Sequence, residues 1–290
     1  MGYGDDLLIT AFAARQKKLY PNRQVVIGNS EKKLAYHSEV YDHNLNISDC
    51  RNLDNNKDIH VINYHSGNRP YIDYEKSKKN KYVWSKNFKP TPGEIFFSEI
   101  EKDKAKNIYN KSVDFWKNKN GSKNFRGSIF LETSSTKIDN KQLGYKHINK
   151  DWGYDNWKTL VENLRDEYLI IHSLHKNSKS IEGIYGPKDT SFRMACAIMS
   201  RCDIYLGPEG GFGHVAAALR KKAVIYFGGW ITPNVIGYDF HKNIYFEHPK
   251  SPCGIIGEYC KHCELARKSI SVELVKKNVD LVFKDNKSNF

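Results

Sequence analysis

Apolar positions in this chain follow two rhythms. Short apolar runs, QVVIG (24–28), IHVINYH (59–65), SIFLET (128–133), YLIIHSL (168–174), DIYLGP (203–208), AVIYFGG (223–229) and NIYFEH (243–248), are bounded by Asn, Ser, Gly or charged residues, as buried strands are. Between several of them the spacing changes. DDLLITAFAARQKKL (5–19), NWKTLVENL (156–164), SFRMACAIMSRC (191–202) and FGHVAAALRKK (212–222) place apolar residues three and four apart, the period of a helix with one buried face. Asp5 and Asp6 stand where a first turn favours negative charge, so a helix is predicted to begin near Asp5. A last helix is predicted within 270–283.

Strands alternating with helices predict an α/β fold with parallel, doubly wound sheets. Residues 98–118 read as a long, largely polar helix, and NGSKNFRG (120–127) behind it has no apolar period. A boundary is placed there, giving a unit over 1–119, a linker over 120–126 and a second unit over 127–290. Two such units would face each other across a cleft, and open α/β sheets bind ligands at the C-terminal ends of their strands.

Composition narrows the classes. The chain has 290 residues, 39% of them hydrophobic and 13% aromatic, which suits a folded protein. No apolar run approaches the length of a membrane helix, and Asp5 and Asp6 occupy the place of a signal peptide's basic region. The expectation is a cytoplasmic protein. The net charge of +13 invites an anionic partner, yet Lys and Asn are spread through stretches such as KNIYNKSVDFWKNKNGSKN (106–124). No nucleic-acid-binding motif appears, so a basic nucleic-acid-binding protein is the weaker alternative. Six cysteines are too few for a disulfide scaffold.

The densest chemistry lies in GPEGGFGHVAAALRKKAVIYFGG (207–229). Glu209, Gly210, Gly211, Phe212, Gly213 and His214 connect a strand to a helix. Glycines there let a ligand approach the backbone, and the N–H groups of a helix start favour phosphate. Glu209 would repel phosphate, so on that reading it faces a diol or a cation. The other reading is a tight turn that glycines merely permit. Lys150 and Trp152 precede the helix NWKTLVENL, and a lysine there can reach the same cleft as a point charge on a diphosphate.

GDDLLITAFAA near the start, Lys-x-Trp before a helix, and GPEGGFGHVAAAL followed by AVIYFGGWITP resemble glycosyltransferase family 9, the heptosyltransferase-like enzymes. The resemblance covers most of the second half, and the first half chiefly through its opening motif. It implies the GT-B fold, two facing Rossmann-like domains with the nucleotide-sugar held mainly by the C-terminal one. It further implies an inverting, metal-independent transfer from a nucleotide-sugar, such as an ADP-activated heptose, to a glycan or lipopolysaccharide-type acceptor. Such an enzyme would work in the cytoplasm, peripherally at the inner membrane face beside anionic lipid.

Carried over by position, the family's Gly-Asp falls on Gly4-Asp5, with Asp5 as base for the acceptor hydroxyl and Asp6 as its neighbour. The lysine at the diphosphate falls on Lys150, and the glycine-histidine stretch on Glu209 to His214. The chain departs from the pattern in three places. Glu209 replaces an aspartate, Gly210 replaces a threonine, and too few residues precede Gly4 for the strand that should carry it. A nucleotide-binding member without activity is a further alternative.

Other candidates follow strand ends. Thr133 and Ser134 offer hydroxyls to the donor, and Gly228 and Gly229 let it approach. His65, Arg69 and Tyr71 lie where an acceptor would dock, Arg69 being able to fork onto a phosphate or carboxylate. Cys253, Cys260 and Cys263, with His262 among them and His241 and His248 upstream, offer ligands for a structural zinc, although the resemblance requires no cofactor.

Overall fold

The computed structural model describes the chain except for residues 1, 122, 134–147, 176–177, 189 and 288–290. The chain begins with helix α1 (Tyr3–Leu19), followed by strands β1 (Gln24–Asn29), β2 (Leu34–Ala35) and β3 (Ile59–Asn63). These strands form a small sheet in the order β2-β1-β3, with β1 parallel to β3 and antiparallel to β2. Gly4 and Asp5 therefore sit in the first turn of a helix and not at a strand end. The N–H of Gly2 donates to Asp5 Oδ2 at 3.3 Å, closing that turn.

Helix α2 (Glu99–Asn120) leads into the second unit. Its start is a capping box, with Ser98 and Glu101 bonding each other's backbone N–H groups. The second unit alternates β4 (Gly127–Leu131), α3 (Tyr154–Glu162), β5 (Tyr168–His172), α4 (Phe192–Arg201), β6 (Ile204–Pro208), α5 (Gly211–Ala218) and β7 (Lys222–Phe227). The short α6 (Pro233–Ile236), β8 (Lys242–Tyr245), α7 (Lys261–Ser269) and α8 (Val272–Lys287) complete it.

Its five strands are all parallel, in the order β5-β4-β6-β7-β8. That is a doubly wound sheet whose connections reverse direction between β4 and β6, the position where such sheets bind ligands. Side chains alternate between two cores. Phe130, Leu169, Ile171, Tyr205, Ile225 and Phe227 face one, and Ile129, Leu131, Ile170, Leu206, Val224 and Tyr226 face the other.

The first core continues without a break into the N-terminal unit, joining Leu7, Leu8, Ile9, Ile27 and Trp84 to residues of α4 and α5. Arg193 on α4 fixes that junction. Its guanidinium bonds both carboxylate oxygens of Glu101, at 2.7 and 2.8 Å, and the carbonyls of Glu39 and Phe96, both at 2.7 Å. The guanidinium beside Glu101 holds that carboxyl down to about 2.

Candidate active site

Two clusters meet where α1 abuts α5. The first surrounds Asp5. Tyr71 Oη donates to Asp5 Oδ1 at 2.6 Å and Tyr64 Oη to the same oxygen at 3.3 Å. Arg69 Nε lies 3.3 Å from Oδ2. Asp6 points elsewhere, receiving hydrogen bonds from Ser38 Oγ at 2.8 Å and Tyr41 Oη at 3.3 Å, and burial pushes its carboxyl above the usual range. The two adjacent carboxylates thus have different partners: Asp5 faces the loop after β3, and Asp6 anchors the turn before residue 42.

The second cluster lies at the β4/β6 reversal. Glu209 follows β6, is buried, and forms an ion pair with Lys150. Lys150 ends a short turn over 148–150 before α3, and its ammonium also sits 4.1 Å from the centre of the Trp230 ring. Trp152, two residues on, is fully buried with its indole N–H on the carbonyl of Ile270 at 3.0 Å, which fixes the lysine's approach. The main chain of 149–150 passes under Gly228, where an added Cβ would lie 2.8 Å from the Asn149 carbonyl. That glycine is required by a close approach and not by the turn.

Gly210 precedes α5, and no side chain caps this helix. Gly211 and Phe212 are half-buried and Gly213 is buried. His214 Nδ1 lies 2.8 Å from Tyr238 Oη. Burial pushes the imidazole down to about 4, so it is neutral near pH 7. A Cβ on Gly4 would stand 3.1 Å from His214 Cδ2 and 3.3 Å from Gly211 Cα. The residue next to Asp5 therefore touches the start of α5.

The remaining candidates divide. Thr133 follows β4, its hydroxyl 3.0 Å from His172 Nε2, while Ser134 lies outside the described residues. Arg69 and Tyr71 reach Asp5; His65 is half-buried in the same loop and accepts from the Gly67 N–H at 3.2 Å. Gly229 opens space for α7, a Cβ there meeting His262 at 3.0 Å and Cys263 at 3.2 Å. Cys253, Cys260 and Cys263 are all buried, with sulfur atoms within 4.8 Å of one another. Among the described residues that group contains no histidine; His262 Nε2 lies instead 2.8 Å from Ser251 Oγ. The Cys263 sulfur, 3.1 Å away, holds the Cys253 thiol down to about 7.

Sequence reading missed Tyr64 and Tyr238. Each is a single tyrosine without a motif around it, and only the long-range contacts to Asp5 and His214 distinguish it.

No protein-family model matches the chain, and no curated protein matches it in sequence. Solved structures do match. A glycosyltransferase of family 9 from Veillonella parvula superposes with a TM-score of 0.60 at 14% identity, over 98% of this chain and 95% of that one. The iron-containing dodecameric glycosyltransferase TibC of enterotoxigenic Escherichia coli gives 0.59 at 12% identity, over 98% of this chain and 74% of that one. By that likeness the chain has the GT-B fold of the family 9 glycosyltransferases.

Proposed function

We propose that this protein is an inverting glycosyltransferase whose donor is a nucleotide-sugar. The observation that carries the reading is the contact of Gly4 with Gly211 and His214, which sets Asp5 beside the helix start best suited to a diphosphate. Asp5 accepts the proton of an acceptor hydroxyl as that oxygen forms its bond to the anomeric carbon. The bond from that carbon to the diphosphate breaks, and its electron pair leaves on the diphosphate. The N–H groups opening α5 and the Lys150 ammonium stabilise that charge. A single displacement inverts the anomeric centre, and these donors do the work without a catalytic metal.

Lys150 is engaged by Glu209, so diphosphate binding is an exchange of one anion for another at the same ammonium. Glu209 keeps its second oxygen for a diol of the sugar or ribose, and Thr133 and Gly228 line the same end of the sheet. An ADP-sugar, such as an ADP-heptose, is the donor that the motifs suggest. The acceptor, a glycan or lipopolysaccharide-type molecule, would enter past His65 in the loop after β3. The site of action would be the cytoplasm, at the membrane's inner face.

Titration calorimetry with ADP, UDP, GDP and CDP tests this. One nucleotide should bind saturably, with or without EDTA, and Lys150→Ala should weaken that binding about tenfold to a hundredfold. Binding of none by folded protein refutes the donor site.

The cysteine group fits a soft metal ion. Three buried thiols, from the loop before α7 and from α7 itself, converge, and thiolates are the soft ligands such ions take. The similar TibC protein is iron-containing, so zinc and iron are both candidates here. Cys253, Cys260 and Cys263 would hold the ion, whose part is structural. This loop also braces the donor site: Asn149 Nδ2 donates to the carbonyl of Glu258 at 2.9 Å, and the Cys253 N–H to that of Gly229 at 2.9 Å.

A further inference from the structure

We infer that Arg69, Tyr64 and Tyr71 form a clamp on Asp5, acting through that carboxylate and not as ligands of the acceptor. The inference rests on the reading of Asp5 as the base, and it assigns the loop after β3 a different task from the one its position suggests.

The geometry is convergent. Tyr64 closes β3, is 2% exposed, and is fixed by its N–H on the Gly28 carbonyl at 2.9 Å. The chain then turns back on itself, the Asn68 N–H donating to the His65 carbonyl at 2.9 Å and the Asn68 side chain to that of Asn63 at 2.9 Å. This turn returns Arg69 and Tyr71 to the first turn of α1. The Tyr71 ring is packed between Trp84 and Phe88, with ring centres 6.2 and 5.9 Å away. Its hydroxyl therefore has little freedom to turn to another partner.

Chemistry supports the same assignment. Burial and the Asp5 charge push both phenols above their usual range, so each keeps an O–H to donate. Both donate to Oδ1. Oδ2 accepts the Gly2 N–H and faces Arg69 Nε, which is buried, close enough for charge attraction, and not aligned as a hydrogen bond. Oδ2 thus keeps acceptor capacity for a substrate hydroxyl while Oδ1 is held. Asp5 is buried, with a guanidinium and two phenols set against its carboxylate. The other ionisable groups near Asp5 are Asp6 on its own helix, Tyr41 before residue 42, Tyr74 in the same loop and His214 on α5. Among the described residues, Arg69 is the cation that forms an ion pair with Asp5.

The test needs no substrate. The full chain, labelled with 13C at aspartate carboxyls, is titrated by NMR, with Asp5→Asn to assign the Asp5 signal. The clamp predicts that Arg69→Ala raises the Asp5 midpoint by about one pH unit or more and that Tyr71→Phe raises it by less. Arg69→Lys should restore most of the wild-type value. Should Arg69→Ala fail to fold, Arg69→Gln removes the charge with less loss of volume and carries the same expectation. An Asp5 midpoint that stays within about 0.2 units of wild type in folded Arg69 variants overturns the clamp. The nucleotide titrations separate this result from the donor reading: if wild type binds none of the four, the donor site fails, and the NMR midpoints still decide the clamp.

Discussion

Lys150 illustrates how one residue's role depends on its surroundings. Its ammonium lies between the Glu209 carboxylate and the Trp230 ring, so its position is fixed before any ligand arrives. Replacing it with alanine removes a charge-assisted contact of about 1.5–3 kcal/mol. Affinity for the nucleotide diphosphate, read by calorimetry, should therefore fall about tenfold to a hundredfold. Glu209→Gln should act in the opposite direction, releasing Lys150 and tightening binding of the diphosphate. With Asp5 as the proposed base for the acceptor hydroxyl, Asp5→Asn should abolish transfer while leaving nucleotide affinity near wild type. Full turnover by Asp5→Asn would remove that residue from the mechanism.

Among elements, the junction of α4 with the N-terminal unit rests on Arg193. Two bonds reach Glu101 on α2, and two reach carbonyls of Glu39 and Phe96. Truncation to alanine leaves those acceptors without their donor, and Arg193→Ala should cost about 3 kcal/mol of stability in denaturant melts. Arg193→Lys should recover little, because a single ammonium cannot span a bidentate carboxylate and two carbonyls. The cysteine loop before and within α7 is the second element-scale feature. Metal analysis of purified protein should find about one equivalent of zinc or iron, and a strong chelator should lower the melting temperature. Less than a tenth of an equivalent would leave the three thiols as packing alone.

For the molecule as a whole, buried histidines set the response to acid. Burial pushes His172, His214 and His241 each down to about 4, whereas an unfolded histidine takes its proton near 6.5. The unfolded chain therefore binds protons first, and stability present above about pH 6.5 is lost as pH falls toward 4, by on the order of 3 kcal/mol per histidine at most. Glu101, held to about 2 by Arg193, adds a loss below the ordinary carboxylate range. Asp6, whose carboxyl is raised, opposes these losses at the acidic end. Urea melts between pH 7 and 4.5 should show this decline, and His172→Gln or His241→Gln should flatten it. An unchanged slope in both variants would mean that other groups control it.

The strands of the parallel sheet were legible because burial on both faces leaves unbroken apolar runs such as YLIIH and AVIYF, the second ended by Gly228 and Gly229. The glycine-histidine stretch and Lys150 were legible as motifs, since each is local in sequence. The two-residue β2 and the helix α7 were not: two residues carry no period, and α7 is half exposed, with only Cys263 and Ala266 buried. Sequence by itself determined the alternation of strands and helices and the residue types gathered at the strand ends. Tertiary structure alone decided that Asp5 opens a helix, that Arg69 and Tyr71 turn back onto it, and that Glu209 engages Lys150. The physical reason is range. Periodicity and turn chemistry act over a few residues and are written in neighbouring side chains, whereas the partners of a buried charge are chosen by packing between segments 60 or more residues apart, as Asp5 and Tyr71 are, and no local pattern encodes that choice.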